Sequence, residues 1–483
     1  MKPFPNVDPQ RRPWTATLPR RAILRLGVSA TAVGLLAACA PAAVPAGGPA
    51  TPAAKTGPKG VVLKTELGRE YLAYPDVKGT VQFSNPWAGA RIPLVERWIK
   101  DFTAIYPGIK VENDVAASPQ MYEKQVSAIA AGAPPNVLAV LSSNIAFFAE
   151  TEAILPLDDL MQRDGVKADW FYPGEFRSRT WQGKAYGLPN VTAGAFHLLF
   201  VNTKLLAKVG WDPKKPIETW QDLEALVEPA KKAGLYVMDP AKIALGMTGH
   251  LVLTYANGGR YWDDNLTKIE WNGPRGVEAA EWLLKFVKAQ APRYEDLAYG
   301  TIRNDAIRAE DWRPEKYVTA VNGSWWFFQL PKDAPGIQFA TYNFPRNANN
   351  PESKGQTPSV GGWMFSIAKA GKDHDAAWEW IKFTAASKHT CPFVWDQSRP
   401  SPVIQCNEGP ELTKTNPFWP VVLKDLSTNI PVPVTSIHPK FDNLWLEMQD
   451  AILYEKMPPK QALDTYAKQG QALLDDWNAK RKK

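Results

Sequence analysis

The chain has 483 residues, 45% of them apolar and 22% charged, an ordinary globular balance that excludes disorder for most of its length. Five His and three Cys exclude a metal-rich or disulfide-dense scaffold, whereas 20 Trp invite a search for aromatic surfaces that grip a ligand. Of the net charge of +7, residues 1–38 hold six basic groups and one acid, which leaves 50 basic and 48 acidic residues in the remainder. A body that close to neutral has no electrostatic footprint for nucleic acid.

Arg20, Arg21 and Arg25 precede an apolar run of 13 residues, Leu26 to Ala38. A charged stretch before a short apolar run reads as an export signal. A bilayer span needs about 20 residues, so this run does not cross one as a helix. The run closes on Leu36-Ala-Ala-Cys39, which resembles the lipobox of bacterial lipoproteins. That resemblance implies that Cys39 is acylated and becomes the mature N-terminus. The paired arginines resemble a twin-arginine signal, with Pro19 and Ile23 departing from its usual residues. Residues 1–38 are thus read as export signal and residues 39–60 as lipidated Cys and tether. Ala, Pro and Gly fill 16 of the 21 positions from 40 to 60, a composition that cannot form a core.

Thr80 to Phe83 is a short β-rich run. Ile92, Val95, Trp98, Ile99 and Phe102 recur at helical spacing, and Pro107-Gly108 ends that helix. Ile109 to Asn113 reads as a strand, residues 121–131 as a helix and Val137 to Leu141 as a buried strand. This alternation predicts α/β architecture with a parallel sheet, whose ligands sit beyond the carboxyl ends of strands. Farther on, helix-period apolar positions fill residues 217–234, 275–290, 375–386 and 440–455. Short strands are expected at Leu198 to Val201, Tyr317 to Val321, Gln338 to Tyr342 and Gly362 to Ile367.

Several segments, in order, resemble the extracellular solute-binding proteins of sugar ABC importers, the family related to maltose- and trehalose-binding proteins. They include Ala130-Ala-Gly-Ala-Pro-Pro-Asn-Val137, Ala153-Ile-Leu-Pro-Leu-Asp158, Gly183-Lys-Ala-Tyr-Gly-Leu-Pro189, Val201-Asn-Thr-Lys-Leu-Leu206, Val321-Asn-Gly-Ser-Trp325 and Gly361-Gly-Trp363. The resemblance implies a periplasmic-binding-protein-like (class II) fold, two α/β lobes that close on a ligand about a hinge. Residues 79–187 and 345–396 would form one lobe, residues 195–335 and 400–483 the other. The chain would cross between them at 188–194, 336–344 and 397–399.

The implied function is binding of a carbohydrate, a disaccharide or oligosaccharide, and its delivery to ABC permease subunits by a monomer anchored through lipid at the outer face of the cytoplasmic membrane. A neutral sugar offers apolar faces and a rim of hydroxyls, so its site needs flat rings and planar polar groups. Trp325, Trp363 and Trp445 are the expected rings, with core packing as the alternative for each. Ser142, Ser143 and Asn144 stand after one strand end and Trp87 after another. Asn190 and Thr192 follow the first Leu-Pro, Gly362 adjoins Trp363, and Thr248 and His250 lie before a glycine pair. Arg399 offers a forked donor suited to neighbouring hydroxyls or a carboxylate. Cys391 and Cys406 are expected to be bonded, since lipidation of Cys39 leaves them as the only thiols in an oxidising compartment.

No metal or organic cofactor is implied. A glycan-degrading enzyme would need two facing carboxylates, and the loops assigned to the cleft carry no obvious acid pair. The same fold with another solute, a glycerol phosphodiester or a peptide, stays open at this point, although only Arg399 stands out as a cation for phosphate.

Overall fold

The computed structural model describes residues 60–64, 69–116, 118–192, 195–212, 214–240, 249–291, 309–359 and 362–481. The export signal, Cys39, all but the last residue of the tether, and Thr248 lie outside the described residues.

The first lobe is built on a five-stranded sheet in the order Ile109–Val115, Gly79–Asn85, Val137–Leu141, Trp363–Ile367, Leu188–Val191. Its first three strands are parallel, as the alternation of strands and helices predicts. Trp363–Ile367 runs antiparallel to both neighbours, so the sheet is mixed rather than wholly parallel. The reason is topological: this strand enters the sheet on a return from the other lobe, not through a local helical crossover. Val137–Leu141 is covered on both faces, hence its unbroken apolar run. The helix Ile92–Ile105 buries Val95, Trp98 and Phe102 on one stripe. Trp98 stacks on Phe393 at 4.0 Å and donates its indole N–H to the His389 carbonyl at 2.7 Å.

The second lobe is built on three antiparallel strands in the order Thr319–Asn322, Leu198–Asn202, Phe339–Tyr342. Stacked Trp220, Trp282 and Phe286 fill its core. A further apolar cluster joins Leu138, Ile145, Phe148 and Met364 of the first lobe to Trp271, Phe441, Trp445 and Trp477.

The crossings depart from expectation. Segment 336–344 is not a crossing, because Phe339–Tyr342 pairs with Leu198–Asn202. Residues 345–357 stay on the second lobe instead of joining the first. Arg346 exchanges backbone hydrogen bonds with Glu218 and Trp220, and Asn350 and Ser353 bond to the carbonyls of Asn257 and Ala256. The second crossing lies at Pro358–Ser359, which pairs in parallel with Ile430–Pro431. Nor does the chain leave the first lobe at 397–399. Val403 bridges to Phe171, and both Val403 and Cys406 are buried in the first core. The far end of the helix Pro459–Arg481 also reaches the first lobe: Trp477 lies 6.0 Å from Trp181, and Arg481 faces Glu150 at 3.7 Å. Residues 400–483 therefore do not all belong to the second lobe.

Candidate functional site

Three strand ends meet at one edge of the first sheet. Trp363 is in register with Leu141 on one side and Val191 on the other. The Ser142 N–H donates to the Gly362 carbonyl at 3.1 Å. Ser142, Ser143 and Asn144 are thereby held beside Trp363. Ser143, Asn144 and Trp363 keep part of their surface exposed, whereas Ser142 is buried. Trp87 is only 3% exposed and packs edge-on to Trp98, Trp363, Phe365 and Phe393. It supports Trp363 from within the core and does not itself present a face to a ligand.

At the end of Leu188–Val191, Asn190 donates its amide to the Thr384 carbonyl at 2.9 Å, and its side-chain oxygen is buried without a partner among the described residues. The Thr192 hydroxyl donates to Glu175. Glu175 also holds Arg179, four residues on, at 3.1 Å, and both side chains are buried. Sequence reasoning passed over this pair: Glu175 lies on the helix Pro173–Arg177 and Arg179 just beyond its end.

From the second lobe comes Trp325, part-exposed between two apolar clusters and 4.7 Å from the ring of Phe196. Gly323 lies directly against it, and a Cβ there would sit inside the indole. Neither Trp325 nor Trp363 is sealed in an interior. The guanidinium of Arg399 stands 6.0 Å from the Trp325 ring. The side chain is only 5% exposed, and burial, aided by the nearby positive charge of Arg91, pushes its pKa down to about 9 against the opposing pull of Glu175. Arg91, a first-lobe residue the sequence did not single out, lies 5.7 Å from the ring of Phe328 on the second lobe. Arg91 and Arg399 thus mark where the lobes face each other. Cys391 and Cys406 are bonded, with Cα atoms 5.1 Å apart, and close the loop that carries Arg399.

Two candidates are taken up elsewhere. His250 is fully buried with Nδ1 at 2.7 Å from the Tyr261 hydroxyl and Nε2 at 2.7 Å from the Gly276 carbonyl. Burial lowers its pKa to about 4, so it is a neutral ring that ties a helix start to its neighbours. Trp445 is 8% exposed, with Tyr261, Trp262 and Phe441 within 5.9 Å of its ring. Its role there is packing between helices. Among the described residues no group of three His, Cys, Asp or Glu is arranged to hold a metal ion. No described helix is long and apolar enough to cross a membrane.

The sequence profile of the bacterial extracellular solute-binding protein family matches residues 90–389. The chain is similar to the sn-glycerol-3-phosphate-binding periplasmic protein UgpB of Escherichia coli O1:K1, at 22% identity over 448 residues, 84% of this chain and 95% of that one. Its structure is similar to the GacH receptor of Streptomyces glaucescens, solved unliganded and with acarbose (TM-score 0.68, 19% identity, 83% of this chain, all of the other). It is equally similar to CpMnBP1 with mannotriose bound (TM-score 0.68, 21% identity, 82% of this chain, all of the other). The fold is therefore that of the two-lobed, maltose-binding-protein-like solute receptors.

Proposed function

Because the chain belongs to the bacterial extracellular solute-binding proteins, we propose that it takes a disaccharide or short oligosaccharide between its lobes and passes it, chemically unchanged, to the permease of an ABC importer. The observation that carries this reading is the pair of part-exposed indoles, Trp325 and Trp363, one on each lobe, with uncharged hydroxyl and amide groups beside Trp363. Flat rings cover the apolar faces of a sugar, and the polar groups serve its rim. Closure then follows from tighter binding to the closed arrangement, the only free energy a ligand can supply to such an equilibrium. The saccharides bound by GacH and CpMnBP1 support the same class of ligand. The lipobox-like Leu36-Ala-Ala-Cys39 supports a receptor held by lipid at the outer face of the membrane.

Similarity to UgpB favours one second reading, a glycerol phosphate as the solute. A thermal-shift screen of the full chain against saccharides, glycerol 3-phosphate and peptides separates the two. A ligand at 100 times its dissociation constant adds about 2.7 kcal/mol, ample for detection. Saccharides are expected to raise the melting temperature and to be recovered intact. A shift with glycerol 3-phosphate alone replaces the saccharide, and recovery of shortened products replaces the receptor with an enzyme.

A further inference from the structure

Among the described residues, the arginines where the lobes face each other outnumber the carboxylates that act on them. The arginines Arg97, Arg179 and Arg399 keep a buried guanidinium nitrogen without a partner among the described residues. Two of them are answered at another nitrogen. Arg97 holds Asp396 at 2.7 Å and Arg179 holds Glu175 at 3.1 Å. Arg399 has no such answer: it is 5% exposed, and its buried Nε has no partner among the described residues. An uncompensated charge taken out of water costs several kcal/mol, and proteins retain one where something else completes it.

The surroundings sharpen the point. Arg91 is close enough to repel Arg399, and its Nε meets only a neutral acceptor, Gln397 Oε1, at 3.0 Å. From the second lobe Lys332 sits 3.5 Å from the same Phe328 ring that Arg91 faces, and Asp333 opposes Arg91. The one carboxylate felt by Arg399 is Glu175, already held by Arg179 and Thr192. Among the described residues, the carboxylates that act on Arg91, Arg179 and Arg399 are thus Asp333 and Glu175. A rim of hydroxyls could fill the donors of Arg399 but would leave this excess standing. A carboxylate or phosphate would do both, through the paired bonds that a guanidinium fork makes with planar or tetrahedral oxyanions.

We infer that the saccharide taken up between the lobes carries an anionic group, a carboxylate or a phosphate, which pairs with Arg399 within reach of Arg91 while its ring lies on Trp325. This rests on the saccharide reading above. Titration calorimetry of the full chain tests it with a panel of mono- and disaccharides in matched pairs, digalacturonate against galactobiose and glucose 6-phosphate against glucose among them. The acid of at least one pair is expected to bind roughly tenfold tighter or more than its neutral partner. Which pair responds tells carboxylate from phosphate, and the preference should shrink as salt rises. Arg399→Gln should erase the preference, and Arg91→Gln should reduce it. The second variant keeps the test decisive where the first fails to fold. Neutral saccharides that bind as tightly as their acids, or a folded Arg399→Gln protein that keeps the preference, overturn the anionic group and leave the saccharide reading intact. Binding of no saccharide of either charge overturns both.

Discussion

Asp425 ties together the two ends of the crossing segments, and its charge should make that tie depend on pH. The Ala195 N–H, at the end of the first crossing, donates to one carboxylate oxygen at 2.6 Å. The Thr357 hydroxyl, at the start of the second, donates to the other at 3.3 Å. Burial pushes the pKa up from 3.8 to about 6, and these two bonds only partly offset it. The folded value lies above the unfolded one, so the folded state holds the proton more tightly. The stabilisation is complete below the unfolded pKa and is lost as pH rises through about 6. A shift of about two units is worth roughly 3 kcal/mol. Asp425→Asn removes the titration, keeps an acceptor for Ala195 and offers an N–H to the Thr357 oxygen. Urea denaturation should therefore find the variant more stable than the parent by roughly 1–3 kcal/mol at about pH 7.5, with the gap closing near about pH 4. An equal gap at both pH values, or a variant weaker at the higher one, would refute the argument by showing that the donors hold the ionised carboxylate better than burial penalises it.

Gly323→Ala would drive a methyl group into the Trp325 indole. Calorimetry should show saccharide affinity reduced by about tenfold or more, and Trp325→Ala should lose at least as much. Replacing Cys391 and Cys406 by Ser opens a link between residues 15 apart and should cost roughly 3 kcal/mol in a denaturation curve. An unchanged midpoint would mean that other contacts hold the loop. Asp164 accepts from Lys382 Nζ at 2.6 Å, Trp378 Nε1 at 2.7 Å and Arg163 Nε at 2.6 Å. Asp164→Ala leaves Lys382 buried with only Glu379 and the Leu72 carbonyl, at a cost of roughly 3–5 kcal/mol. Burial favours the neutral acid at Asp164, but its bonds from Arg163 and Lys382 outweigh that and hold its pKa low. Its contribution should accordingly be lost as pH falls through that lowered value, which an acid titration of stability would reveal.

What could be read along the chain was whatever depends on near neighbours. Val95, Trp98 and Phe102 name a buried helical stripe because three and four residues return to the same face. Val137–Leu141 declares a doubly covered strand by its unbroken apolar run. Direction and crossing points are set by distant partners instead. Nothing in Trp363–Ile367 itself tells that it runs against Val137–Leu141. The stretch 345–357 looks like a free return until Asn347 and Asn350 are found bonded to Asn257. The same division runs through the site. Trp87, Trp325, Trp363 and Trp445 are one residue type, and only their packing separates supporting rings from part-exposed ones. Arg91 and Arg179 are not singled out in the sequence because burial is a property of the assembled lobes. The meaning of Arg399 lies a step farther from the sequence still. Its position in a Pro-rich segment suggests a contact, but its demand for an anion rests on a buried Nε without a partner among the described residues and on a Glu175 already held by Arg179, and such a deficit is visible only once the neighbours are placed.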